Sequence, residues 1–161
     1  MKKDYKDFLD NGIFEIQKAN YNDAIELINQ SIQLKNDWEI SYFYRAVAHH
    51  SLKNYDEAML DYTKSIELNP KMTDAYFNRA KIMLERKDVL VLDLDKIVQD
   101  LDIALKLDDK FIDALFAMAC AKKKQEKYKE ALEYLEKLLE IEPDAIQARA
   151  LKKLIEQKYL N

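Results

Sequence analysis

Four aspartates stand close together in the stretch RKDVLVLDLDKIVQDLD (86–102): Asp93, Asp95, Asp100 and Asp102. Clustered carboxylates hold hard cations when a loop bends them around one point. A calcium loop also needs a glycine at its sharp turn and a closing glutamate, and this stretch has neither at the required spacing. A solvated acidic face accounts for these aspartates better than a metal site. Few other residues could do chemistry. His49 and His50 are the only histidines, and Cys120 is the only cysteine. No second cysteine and no acid–histidine pair has metal-ligand spacing. The chain has one glycine, Gly12, which rules out a GxxxxGK phosphate loop, a GxGxxG dinucleotide turn and a GxSxG nucleophile elbow. No catalytic residue, cofactor or metal is expected, so the chain reads as non-enzymatic.

The elements that carry these residues follow from composition. The chain has 161 residues with one Gly and two Pro, at Pro70 and Pro143. That length can bury one core. A fold with many strands spends many more glycines on its turns, so an all-α class is expected. The start, MKKDYKDFLDNGIF, lacks the apolar run of a signal peptide, and no stretch approaches the roughly 18 apolar residues of a membrane helix. One cysteine cannot build an internal disulfide framework. A cytoplasmic location is the expectation. The net charge of −4 disfavours sequence-independent nucleic-acid binding, which needs a basic face.

The sequence repeats itself. Gly12, Ala46 and Ala80 are 34 residues apart, as are Ala24 and Ala58, Ser31 and Ser65, and Tyr21 and Tyr55. Ile97 and Ala131 keep the same step, as do Ala104 and Leu138. From Ala58 to Ile97 the step is 39, so five residues are inserted after Ala80 and before Ile97. The pattern resembles the tetratricopeptide repeat, a helix–turn–helix unit of about 34 residues. The best unit is EISYFYRAVAHHSLKNYDEAMLDYTKSIELNP, with Tyr42 at the aromatic place and Ala46, Ala58 and Ser65 at the small places. The resemblance implies four units, 5–38, 39–72, 73–111 and 112–145, and a capping helix, 146–161, in a right-handed α-solenoid forming a single domain. One helix pair cannot bury its apolar face alone, so units stack. Asn20 and Asn54 are N-cap candidates for second helices. Ala148, Leu151, Ile155 and Tyr159 form one apolar stripe on the last helix, away from Lys152, Lys153, Glu156 and Lys158. The pattern is departed from at the seventh place, often Leu, which reads Asn11, Arg45, Arg79 and Met118. Leu138 replaces the usual Ser or Ala in the fourth unit.

The resemblance implies a concave groove, lined by the first helices, that binds a peptide or helix of a partner protein. Its fifth places read Leu9, Phe43, Phe77 and Phe116, and its ninth places Ile13, Val47, Lys81 and Cys120. Asn78, His50, Lys123 and Lys124 complete the candidate groove. These apolar residues either anchor a partner's side chains or pack against neighbouring helices. The lysines either complement the helix end or steer an acidic segment inward. One subset of the family clamps the C-terminal carboxylates of heat-shock chaperones through lysines, asparagines and an arginine at set places. Here Leu9, Ile13, Phe43 and Val47 stand at two of those paired places in successive units. Only Asn78 fits, and Asp113 and Ala117 stand where Lys and Arg are required, so that clamp is not expected. By phase His49 lies inside its helix pair, and Cys120 reads as a packing residue.

The insert sits at the opening stretch. Leu90, Leu94, Ile97, Leu101 and Leu105 continue a helical stripe backward, which lengthens the second helix by more than one turn with Asp88 as N-cap. A loop through Val89–Leu92 with Asp93 as cap is the alternative. Val89, Leu90, Val91 and Leu92 are then a possible second contact surface, because insertions in repeat arrays gather on one face. A general interaction module, a dedicated cytosolic chaperone for a secreted or aggregation-prone client, and a protein self-associating through the insert or the last helix all remain compatible with these residues. A homo-oligomer is among the possible states.

Overall fold

The computed structural model describes residues 4–86 and 91–159. Among these are nine helices and no strand: α1 (Tyr5–Gln17), α2 (Tyr21–Leu34), α3 (Glu39–Ser51), α4 (Tyr55–Leu68), α5 (Thr73–Glu85), α6 (Val91–Leu107), α7 (Ile112–Lys124), α8 (Tyr128–Ile141) and α9 (Ile146–Tyr159). None is long and apolar enough to cross a membrane. The all-α helix–turn–helix expectation is met. The chain falls into two compact units, Met1–Ile82 and Met83–Asn161.

In unit one, α1 packs on α2 and α3 on α4. The crossing places are small. A Cβ on Gly12 would lie 2.6 Å from Ile28 Cγ1 and 3.3 Å from the Ala24 carbonyl oxygen, so the α1–α2 crossing closes only because that side chain is missing. Ala46 and Ala58 do the same work in the next pair, both at 0% exposure, around the buried ring of Tyr62 with Ala75 and Ile82 of α5. In unit two, α7 packs on α8, α6 on α7, and α9 on α8. Leu115, Ala119, Ala131, Leu135 and Leu138 form one core with Ala148 and Ile155 of α9. Leu138 fits at its small place because Ala148 lies in the same cluster. The α9 stripe is as expected: Ala148 and Ile155 are buried, Leu151 is half-buried, and Tyr159 stacks on Tyr128 with centroids 4.3 Å apart.

The turns inside the helix pairs use no glycine. Ala19, Lys53 and Glu126 take left-handed φ of 62°, 62° and 61°. Each closes the same Schellman pair: Ala19 N–H donates to Ile16 O and Asn20 N–H to Glu15 O, both at 2.9 Å, and the pattern recurs at 53–54 and 126–127. Asn20 and Asn54 do occupy N-cap positions, but neither side chain caps its helix. The Asn20 amide nitrogen donates to Glu15 Oε2 at 2.6 Å, across the turn that joins the two helices. A side-chain cap does form at α1, a capping box between Asp4 and Asp7.

α6 has 17 residues against 14 in α2, α4 and α8. It begins at Val91, so Leu92 and Asp93 are helical, and a loop capped by Asp93 is excluded. Asp88, Val89 and Leu90 lie outside the described residues, as do the side chains of Val91 and Leu92. The aspartates do not all share a wet face. Asp95 accepts from the Gln125 amide at 3.0 Å and Asp102 pairs with Lys106 at 2.6 Å, but Asp100 is only 5% exposed. Asp100 holds the repeat place that Asp61 holds in unit one, and that place is interior.

Candidate interaction faces of the first helices

The candidate groove residues divide between the units. On unit one, Ile13, Phe43, Val47, His50, Phe77 and Asn78 are half-buried and Lys81 is exposed. Leu9 departs from expectation. At 2% exposure it is a core residue and presents nothing to a ligand. Phe43 and Val47 rest on the unit-one core, with the Phe43 ring 5.7 Å from that of Tyr62 and edge-on to Tyr44 at 5.3 Å. They are packed underneath and open above. The His50 ring tilts against Tyr55 at 5.9 Å. The Asn78 amide donates to Asp74 O at 2.9 Å, so one of its two amide protons is already used.

On unit two, Phe116 leans on the core and stays half-buried beside half-buried Cys120. Lys123 is half-buried and Lys124 exposed at the end of α7. Burial pushes the Cys120 thiol above its ordinary value, while the nearby ammonium groups of Lys123 and Lys124 pull the other way. A thiol held protonated is a packing group rather than a nucleophile. Ala150 and Leu154 lie 34 residues after Phe116 and Cys120, on α9, and Ala150 is exposed with Leu154 at 43%. The repeat phase, carried one unit on, points to both.

A polar cluster behind the unit-one face explains a departure from the repeat. Arg45 stands where Leu is common. Its Nε and Nη2 grip Asp61 Oδ2 and Oδ1, each at 2.7 Å, and its Nη1 donates to Asn29 Oδ1 at 2.6 Å. Asp61 is 5% exposed, so the forked pair satisfies a carboxylate that the core would otherwise exclude. The Asp61 carboxylate raises the guanidinium pKa further above its ordinary value. Arg79, one repeat later, donates to Thr63 Oγ1 at 3.0 Å and spans the same sixteen-residue step back. His49 lies within electrostatic reach of this cluster. Burial lowers its pKa, Arg45 adds to that, and Asp61 and Glu57 oppose it. Its Nδ1 is buried without a hydrogen-bond partner among the described residues, so a place inside the helix pair leaves this ring nitrogen unmet.

Residues 40–72 match the tetratricopeptide repeat model and residues 112–159 the Fis1 C-terminal tetratricopeptide repeat model. A TPR repeat-containing protein of Methanocaldococcus jannaschii is 25% identical over 84% of this chain and 23% of its own length. The chain spans less than a quarter of the curated relatives it matches first. The structure of MamA residues 41 to the end from Desulfovibrio magneticus RS-1 superposes with a TM-score of 0.86 at 13% identity, over 98% of this chain and 86% of that one. The first TPR of Spaghetti (RPAP3), solved with the HSP90 peptide SRMEEVD, superposes with a TM-score of 0.68 at 22% identity, over 76% of this chain and 96% of that one. Matched by repeat models in both units and built of the same helix pairs as these structures, the chain belongs to the tetratricopeptide-repeat family.

Proposed function

We propose that this protein is a protein-interaction module whose first-helix faces hold a partner segment carrying apolar anchors and acidic residues. The family fold supports an interaction module in general. The observation that carries the finer reading is the row at the fifth and ninth places: Phe43, Val47, Phe77, Phe116 and Cys120 are all half-buried, when the same fold readily buries Leu9 completely. Phe43 and Phe116 rest on the cores beneath them, and half-open rings supported in this way make pre-organised anchor sites, because little side-chain freedom is left to lose on binding. Lys81, Lys123 and Lys124 enter no ion pair among the described residues and supply the cationic border. The HSP90 peptide seen with the RPAP3 repeat is not carried over, because Leu9, Ile13, Phe43 and Val47 replace the polar clamp.

Selection from a displayed peptide library tests the reading. Enriched sequences should pair bulky apolar residues with Asp or Glu, and the affinity of a synthetic copy should fall as salt rises. Selection of basic or purely polar sequences would reject it.

A further inference from the structure

Unit two carries a recess whose lining includes none of the candidate groove residues. A cleft of about 420 Å³ opens between α6 and α8 beside the 108–111 turn. Leu105, Leu115 and Ile141 line it as apolar surface, and Tyr134 contributes its ring. Asp102, Asp109 and Glu140 are matched by Lys106, Lys110 and Lys137, so the lining is neutral in a chain of net charge −4. Part of that charge is spent internally: Lys106 pairs with Asp102 at 2.6 Å, and Lys137 lies over the Tyr134 ring at 5.3 Å. Asp109, Lys110 and Glu140 make no ion pair among the described residues.

A short turn beyond Ile141, α9 begins with Ile146, which at 81% is the most exposed large hydrophobic residue among those described. Its flanking charges, Asp144 and Arg149, bond each other at 2.7 Å in the open. Surface ion pairs of that kind contribute little and exchange readily. This edge of the unit, from Ile141 in the recess to Ile146 five residues on, therefore bears both a recess of mixed apolar and charged lining and an exposed apolar knob. Around the recess stand an unpaired cation and two unpaired carboxylates, and around the knob one charge of each sign. A two-fold contact requires that a single patch contain both of its own complementary halves.

We propose that this edge pairs with the same edge of a second copy of the chain, Ile146 of each filling the cleft of the other. Arg149 then faces Asp109 and Glu140 of the other copy, and Asp144 faces Lys110. The local neutrality of the cleft lets two net-acidic chains meet there. This pairing leaves the first-helix faces untouched and stands or falls independently of what they bind.

The test is the mass of the intact chain by sedimentation equilibrium from about 10 μM to about 1 mM, a range that reports weak pairs. The mass should climb toward twice the chain mass. Ile146→Asp should weaken association at least about tenfold with helicity and thermal midpoint unchanged, since the residue is exposed and an acid suits a helix start. Glu140→Arg should weaken it as well, Arg149→Glu in the same chain should restore it, and Phe77→Ala should leave it unchanged. A single-chain mass throughout, wild-type association by Ile146→Asp, or no restoration in the double variant would overturn the proposal.

Discussion

Ser31 and Ser65 hold the same place one repeat apart, and both are fully buried. Ser31 shares a hydrogen bond with Ser41 at 2.8 Å, whereas the hydroxyl of Ser65 has no partner among the described residues, since the next unit carries Ala75 where Ser41 stands. An unmet buried hydroxyl is costly, and a paired one is costly to break. Ser65→Ala should therefore stabilise the fold by about 1 kcal/mol in urea denaturation, while Ser31→Ala should destabilise it by about 1–2 kcal/mol. Equal effects of the two changes would contradict this. His49 gives a second residue-scale outcome. Its folded pKa lies below the ordinary value, so above about 6.5 both folded and unfolded chains hold it neutral. As pH falls below that, the unfolded chain takes up the proton first. Stability should decline from pH 7 toward 5 with a slope of no more than about one proton, and His49→Gln should flatten it. Neither residue-scale feature was visible in the linear pattern. The repeat fixes which places are small, and only the facing residue decides whether a polar atom there is met. Arg45 shows the same thing: in the sequence it is a departure from Leu, and the fold uses it to neutralise Asp61.

At the scale of elements, phase did most of the work. The 34-residue step placed the helix pairs, and the 39-residue step placed the insert before Ile97. What phase could not supply was the chemistry of the turns. Side-chain caps at Asn20 and Asn54 were a reasonable expectation from residue type, yet the Schellman closures set those asparagines so that neither side chain caps its helix. Those closures place Ala19, Lys53 and Glu126 in left-handed conformation without glycine. An L-residue there costs about 1–2 kcal/mol, and glycine returns about 0.5–1 kcal/mol of that as lost chain entropy. Lys53→Gly should therefore raise stability by about 0.5–1 kcal/mol, read as an upward shift in the denaturant midpoint with an unchanged slope. A downward shift would mean that the side chain makes a contact worth more than the strain. Asp100 teaches a related lesson: the four aspartates read as one acidic face until the repeat place of Asp61 is carried forward, and then one of them is interior.

At the scale of the whole molecule, each unit keeps large first-helix residues half-buried, Phe43, Val47 and Phe77 in one and Phe116 in the other, with Lys81 exposed in the first and Lys124 in the second. The family and the helix order were legible because repeated small residues impose a crossing geometry that few other folds share. The accessibility of individual face residues was not legible. Leu9 and Phe43 occupy equivalent places, but Leu9 sinks to 2% exposure while Phe43, supported by Tyr62, stays half-buried. The recess at the α6–α8 edge was also invisible to phase, since it depends on how the 108–111 turn meets α8. The measurement that bears most directly on the central claim is calorimetric titration of a library-selected apolar–acidic peptide into wild-type protein and Phe77→Ala, with thermal unfolding run in parallel. The account predicts at least about a tenfold loss of affinity in the variant with the thermal midpoint little changed. Unaltered affinity, or a collapsed midpoint marking Phe77 as core, would contradict it.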